Sequence, residues 1–203
     1  MEVNWVEALW VNSPLRTLMQ ARELRFFRRR RPLEPGACVL EIGCGRGEGA
    51  SMVSRAFRPS RIDGIDIDPR MIRLARRRGR AAGGKGLEFR VGDAQRLPYP
   101  EGSIDAVFNF GIIHHLEDWR EGIREIARVL KVGGAFYFEE IYPDLYANAA
   151  TRYLLAHPRR DRFGPRELHD ALERAGLRLL PGSRESRFRI VGVAVKPETR
   201  GSG

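Results

Sequence analysis

Six side chains in this 203-residue sequence have the type and spacing to do chemistry: Glu41, Asp66, Asp93, His114, His115 and Glu140. Each stands at or just past the end of a short apolar run, where an α/β sheet presents its working edge. Asp66 comes about 20 residues after a glycine-rich turn, the distance at which a carboxylate can accept hydrogen bonds from both hydroxyls of a ribose. Asp93, before Ala94, closes the next apolar run and can accept from an exocyclic amine such as that of adenine. The bland reading of Asp66 is a helix cap, but Asp68, followed by Pro69, is better placed for that. His114 and His115 follow the fourth apolar run and Glu140 ends the fifth. Neighbouring parallel strands bring such ends together, so a carboxylate can orient an imidazole suited to general-base work. The same histidines also fit a packing role beneath the site.

These residues need a scaffold, and residues 39–49, VLEIGCGRGEG, supply its first unit. Val39, Leu40 and Ile42 suit a buried parallel strand, and Gly43, Gly45 and Gly47 let the backbone turn tightly and approach a ligand. Residues 48–57 then form a helix whose N-terminus faces that ligand. From there apolar runs and helical periods alternate: strands at 61–66, 87–91, 104–110 and 135–141, with helices between them. Asp118 and Glu121 have capping-box spacing, and Gly133 and Gly134 are expected to stop the helix they begin. A helix from Pro165, then apolar stretches at 177–180 and 188–195, predict a closing pair of strands. Residues 5–27 read as two helical pieces, Ser13 and Pro14 starting the second, with Leu15, Leu18, Met19 and Arg22 on one stripe. Residues 28–36 are expected to link them to the first strand. Residues 142–164 have no clear period and read evenly as a lid or a surface helix.

Composition bounds the rest. The length suits one domain, with residues 1–34 as a helical cap, 35–197 as the main body and 198–203 as a tail. No basic-then-apolar start and no apolar run of about 20 residues is present, so a cytoplasmic chain without a membrane span is expected. Cys38 and Cys44 are too few for a disulfide framework or a metal site. The net charge of +10 is almost all arginine, and the runs at 28–31 and 76–78 read as solvated faces in preference to a nucleic-acid patch.

Four segments together, VLEIGCGRG, GIDIDPRMI, GDAQRLPYPEGSIDAVFNFGIIHH and REIARVLKVGGAFYF, make the sequence resemble the class I S-adenosylmethionine-dependent methyltransferases. The branch it is most similar to is the small-molecule one that includes the ubiquinone and menaquinone methyltransferases. The resemblance implies a Rossmann-like, seven-stranded, mostly parallel sheet with an antiparallel last strand. It implies that Glu41, Gly43, Cys44, Gly45 and Gly47 cradle the methionine part of the cofactor, that Asp66 and Ile67 hold the ribose side, and that Asp93 and Ala94 hold the adenine. Phe110 would give backbone contacts to the methionine amino group, and a histidine with an acid, here His114 or His115 with Glu140, would serve as base for a hydroxyl acceptor. Gly45, Gly47 and Ala50 also satisfy a dinucleotide fingerprint, but the GDAQRLPYPEGSID segment is not explained by a nicotinamide cofactor. A small metabolite, aromatic or lipid-like, is the expected acceptor, since the fourth strand lacks an N-P-P-Y type signature for base amino groups. RNA methylation on the basic surface, or cofactor binding without catalysis, are the competing functions.

Overall fold

The computed structural model describes residues 13–81, 83, 86–146 and 161–198. The strands β1 (Cys38–Ile42), β2 (Arg61–Asp66), β3 (Leu87–Val91), β4 (Ile104–Phe110), β5 (Leu130–Ile141), β6 (Arg178–Leu179), β7 (Arg184–Glu185) and β8 (Arg189–Val195) form one sheet. Its order is β3-β2-β1-β4-β5-β8-β6, with β7 also paired to β8. The first five strands run parallel, and β8 is antiparallel to β5 and β6. This is the doubly wound, mostly parallel arrangement expected from alternating strand and helix periods, with a two-residue β7 added.

Consecutive strand residues point to opposite faces, and each face has its own helices. Val39, Ile62, Ala106, Phe108 and Tyr137 pack beneath α1 (Pro14–Arg30), α2 (Glu48–Phe57) and α3 (Pro69–Ala81). Leu40, Ile65, Val107, Phe136 and Phe138 pack against α4 (Trp119–Val129) and, beyond the short α5 (Pro143–Tyr146), α6 (Pro165–Arg174). Asp118 caps α4 by accepting from the Glu121 N–H at 2.9 Å, as its spacing requires.

Two local expectations are corrected. Helix α1 continues through Arg30, ending at extended Arg31 before Pro32, so the arginine run is its last turn and not a linker. Its Leu15 and Leu18 stripe faces outward, 52% and 45% exposed, while Arg16, Glu23, Leu24 and Phe27 are buried. Gly133 and Gly134 do not stop α4, which ends at Val129; they lie inside β5, where the Gly133 N–H donates to the Lys196 carbonyl and the Gly134 carbonyl accepts from the Lys196 N–H. The β4–β5 pairing shifts register between Ile104 and Ala106, the irregularity that lets the glycines into a strand. Residues 5–12 and 147–160, with Trp5, Trp10 and Tyr153, lie outside the described residues.

Candidate functional site

The carboxyl ends of β1, β2 and β3 lie side by side, so Glu41, Asp66 and Asp93 form a row. The loop leaving β1 has Gly43, Gly45 and Gly47 at φ of 62, 51 and 75°, a left-handed path that other residues adopt only with strain. A Cβ on Gly47 would stand 2.8 Å from the Phe89 ring, so the tight packing of loop on α3 and β3 requires glycine there. A Cβ on Gly45 would meet nothing within 4 Å: this glycine faces open space. Cys44, in the same loop, is buried, and its N–H donates to the Ile65 carbonyl at 2.8 Å.

Glu41 is buried beneath the start of α2, and one of its carboxylate oxygens, Oε2, has no hydrogen-bond partner. Burial pushes its pKa up to about 8, only partly offset by the Ala50 N–H, with nearby Asp66 adding to the rise. An unpaired acceptor of this kind calls for a cation or a donor from a ligand. Asp66 ties the loop together: Oδ2 accepts from Gly45 N–H at 2.8 Å and Oδ1 from Asp68 N–H at 2.9 Å. Burial raises its pKa as well, against those two hydrogen bonds. Each oxygen keeps a lone pair for a ribose hydroxyl. Ile67 beside it is 58% exposed, an apolar surface next to the carboxylate row. Asp93 accepts from the Gln95 N–H at 2.8 Å, and Ala94 is buried. An orphaned acid, an open glycine and a pre-held aspartate fit the three parts of S-adenosylmethionine.

Around β4 and β5 lies a second group. Glu140 is fully buried and accepts from Asn109 Nδ2 at 2.6 Å and from Ile113 N–H at 2.8 Å; its other oxygen lies 2.5 Å from His114 Nδ1. Asn109 Oδ1 accepts in turn from Ile112 N–H at 3.0 Å, fixing the 3₁₀ turn Ile113–His115. The His115 ring stacks obliquely on His114, centroids 4.2 Å apart. Glu140 therefore holds His114, with its Nε2 as the remaining ring nitrogen.

A neighbouring ion network had no sequence signal. Arg16 Nη2 donates to Glu139 at 2.9 Å and to the Phe110 carbonyl at 3.1 Å, and Nη1 lies 3.5 Å from Glu23. Arg189 closes the set, 2.6 Å from Glu23 and 3.4 Å from Glu139. Burial works against the Arg16 charge, but Glu139 and Glu23 outweigh it and its pKa ends up raised. Glu23 is pushed up by burial and by Glu139, against the two arginines. The Phe110 backbone, expected at the cofactor, thus already has one partner. Helical period alone could have put Arg16 and Glu23 on one face, but not their partners, which come from β5 and β8.

Residues 40–138, just under half the chain, match a family described as methyltransferase domain. A fatty-acid O-methyltransferase of Mycolicibacterium smegmatis is 44% identical over 118 residues, 58% of this chain and 39% of that protein. A phthiotriol/phenolphthiotriol dimycocerosates methyltransferase of Mycobacterium tuberculosis is 36% identical over 125 residues, 62% of this chain and 45% of that protein. The match thus spans less than half the length of each of these relatives. Among solved structures, geranyl diphosphate C-methyltransferase from Streptomyces coelicolor, in complex with Mg2+, geranyl diphosphate and S-adenosyl-L-homocysteine, superposes with a TM-score of 0.76 at 17% identity, covering 90% of this chain and 80% of that one. A methyltransferase in complex with the Trm112 activator of Haloferax volcanii gives 0.76 at 21% identity, covering 95% and 96%. At such identities the likeness speaks for the fold alone.

Proposed function

We propose, from the premise that this chain carries a class I methyltransferase domain, that it transfers the methyl group of S-adenosylmethionine to a small, lipid-like acceptor. The observation that carries this reading is the row of Glu41, Asp66 and Asp93 at the ends of three adjacent parallel strands, around a glycine loop left open at Gly45. Residues 35–197 would form the catalytic unit and residues 1–34 its helical cap. A lipid-like acceptor accords with the two curated relatives, whose names carry a fatty acid and a dimycocerosate lipid. A cytoplasmic site of action accords with two free cysteines.

When bound, S-adenosylmethionine supplies a methyl group already activated by a sulfonium charge. Glu41 would hold the methionine ammonium through the oxygen that has no partner, and Asp66 the ribose hydroxyls with both oxygens already aimed by backbone N–H groups. Asp93 would accept from the adenine amine, with Ile67 and Ala94 against the ring. The Gly43, Cys44, Gly45 and Gly47 backbone and Phe110 would complete the cradle. Catalysis then rests on alignment and on excluding water. Glu140 fixes the His114 ring through Nδ1, so Nε2 would take the proton of a hydroxyl acceptor as it attacks, with His115 packed beside it. A carboxylate acceptor arrives deprotonated and needs no base.

The test is incubation with methyl-labelled S-adenosylmethionine and cell extract separated into metabolite, lipid, RNA and protein pools. Label in the lipid or metabolite pool supports the proposal. Label in RNA moves the acceptor to nucleic acid, and tight cofactor binding with no label anywhere makes the chain a non-catalytic binding module.

A further inference from the structure

Among the described helices the arginines are unevenly placed. Helices α1, α2 and α3, which share one face of the sheet, carry thirteen arginines against two carboxylates, Glu23 and Glu48. Helices α4 and α6 on the other face carry five arginines against five carboxylates. The outward stripes of the basic layer are Arg22, Arg25 and Arg29 on α1 and Arg73, Arg77 and Arg80 on α3, all exposed. Among the described residues none of these six has a carboxylate in ion-pair range.

Apolar exposure is equally lopsided. Of eight large apolar side chains left exposed among the described residues, six, Leu15, Leu18, Ile67, Val91, Leu145 and Phe188, belong to the carboxyl end of the sheet. Ile67 and Val91 follow or end β2 and β3, Leu145 follows β5, and Phe188 precedes the antiparallel β8. Leu15 and Leu18 flank Arg16, which reaches the Phe110 carbonyl at the end of β4. A seventh, Leu74, lies among the arginines of α3.

We propose that the edge where the α1–α3 layer meets this apolar rim docks the protein on an anionic lipid bilayer, with the site's mouth toward the membrane. Guanidinium groups match phosphate oxygens in pairs, and leucine tips between them suit the zone just below the headgroups. Phosphate is common to nucleic acid too, but strand-binding surfaces stack bases on exposed rings. In the basic layer Phe26 and Phe27 are buried and Phe57 packs inward on Phe108 and Tyr137. The choice of bilayer rests on the lipid-like acceptor proposed above, which a docked mouth would receive without crossing water.

Flotation with phosphatidylcholine vesicles, with and without phosphatidylglycerol, tests the idea. The full chain is expected on the anionic vesicles alone and to leave them as salt rises. Reversing Arg22, Arg25, Arg73 and Arg77 to Glu lowers the partition coefficient by about 100-fold or more, while the melting shift induced by S-adenosylmethionine persists. Leu15→Ser/Leu18→Ser, a milder change, weakens vesicle binding about tenfold without affecting that shift. Absence of vesicle binding, equal binding to neutral vesicles, undiminished binding by the reversed variant, or displacement from the vesicles by poly(U) would each overturn the proposal. Loss of the cofactor-induced shift in the unaltered protein instead overturns the methyltransferase reading, a result independent of the vesicles.

Discussion

Glu41 is an acid kept against its preference, and its chemistry can be separated from its packing. Below a pH of about 4.5 the carboxyl is neutral whether the chain is folded or not; between there and about 8 only the unfolded chain releases the proton readily. This position therefore loses stability as pH rises through that window. Glu41→Gln is expected to melt close to the unaltered protein at pH 5 and several degrees above it at pH 9, while its affinity for S-adenosylmethionine drops; melting curves and calorimetric titration read the two effects. His114 and Glu140 separate differently. His114→Ala should lower kcat for a hydroxyl acceptor by about 10²–10⁴-fold with little change in the cofactor's KM, and Glu140→Gln should fall between, since it keeps the acceptor for Ile113 N–H but not the charge beside Nδ1. Unchanged turnover in both His114→Ala and His115→Ala removes the base from the mechanism.

Among elements, the glycine loop contains two kinds of glycine that the sequence presents as one pattern. Gly47 packs on Phe89 and Ala75 at positive φ, so Gly47→Ala should cost about 1–3 kcal/mol of stability in urea denaturation. Gly45 is open on its Cβ side but also at positive φ, so Gly45→Ala should cost about 1–2 kcal/mol from backbone strain alone, without the clash, and act chiefly on cofactor affinity. If the two variants lose equal stability and equal affinity, the distinction is wrong. The strands β2, β3 and β4 were legible residue for residue, because uninterrupted apolar runs bounded by Gly, Pro and Asp have few other uses. Helix α1 was legible in its period but not in its rotation: an apolar stripe points to the core only when the core side is apolar, and here Arg16 and Glu23 share that side with Leu24 and Phe27. The first part of β5, before Ala135, was missed because Gly133 and Gly134 sit where they also would in a helix stop.

At the scale of the molecule, the Arg16 network links α1 to β5 and β8 across 123 and 166 residues of sequence. No local pattern encodes such pairs, which is why the strand-end positions of the acids and histidines were legible and this cluster was not. Arg16→Ala leaves Glu23 and Glu139 sharing Arg189 and should cost about 3–5 kcal/mol in denaturant unfolding, with Arg16→Ala/Glu139→Gln recovering part of it. A loss below about 1 kcal/mol would show that the network is not a structural tie. The one-sided placement of arginine has a last consequence, for motion before any contact is made. Thirteen arginines in one helical layer and balanced charge in the other give the described helices a dipole directed through the thickness of the sheet. Near a negative surface the field exerts a torque on such a body within the last Debye length, about 8–10 Å. The α1–α3 layer would be turned toward the surface before contact, leaving only the tilt that brings the apolar rim down to be settled on touching.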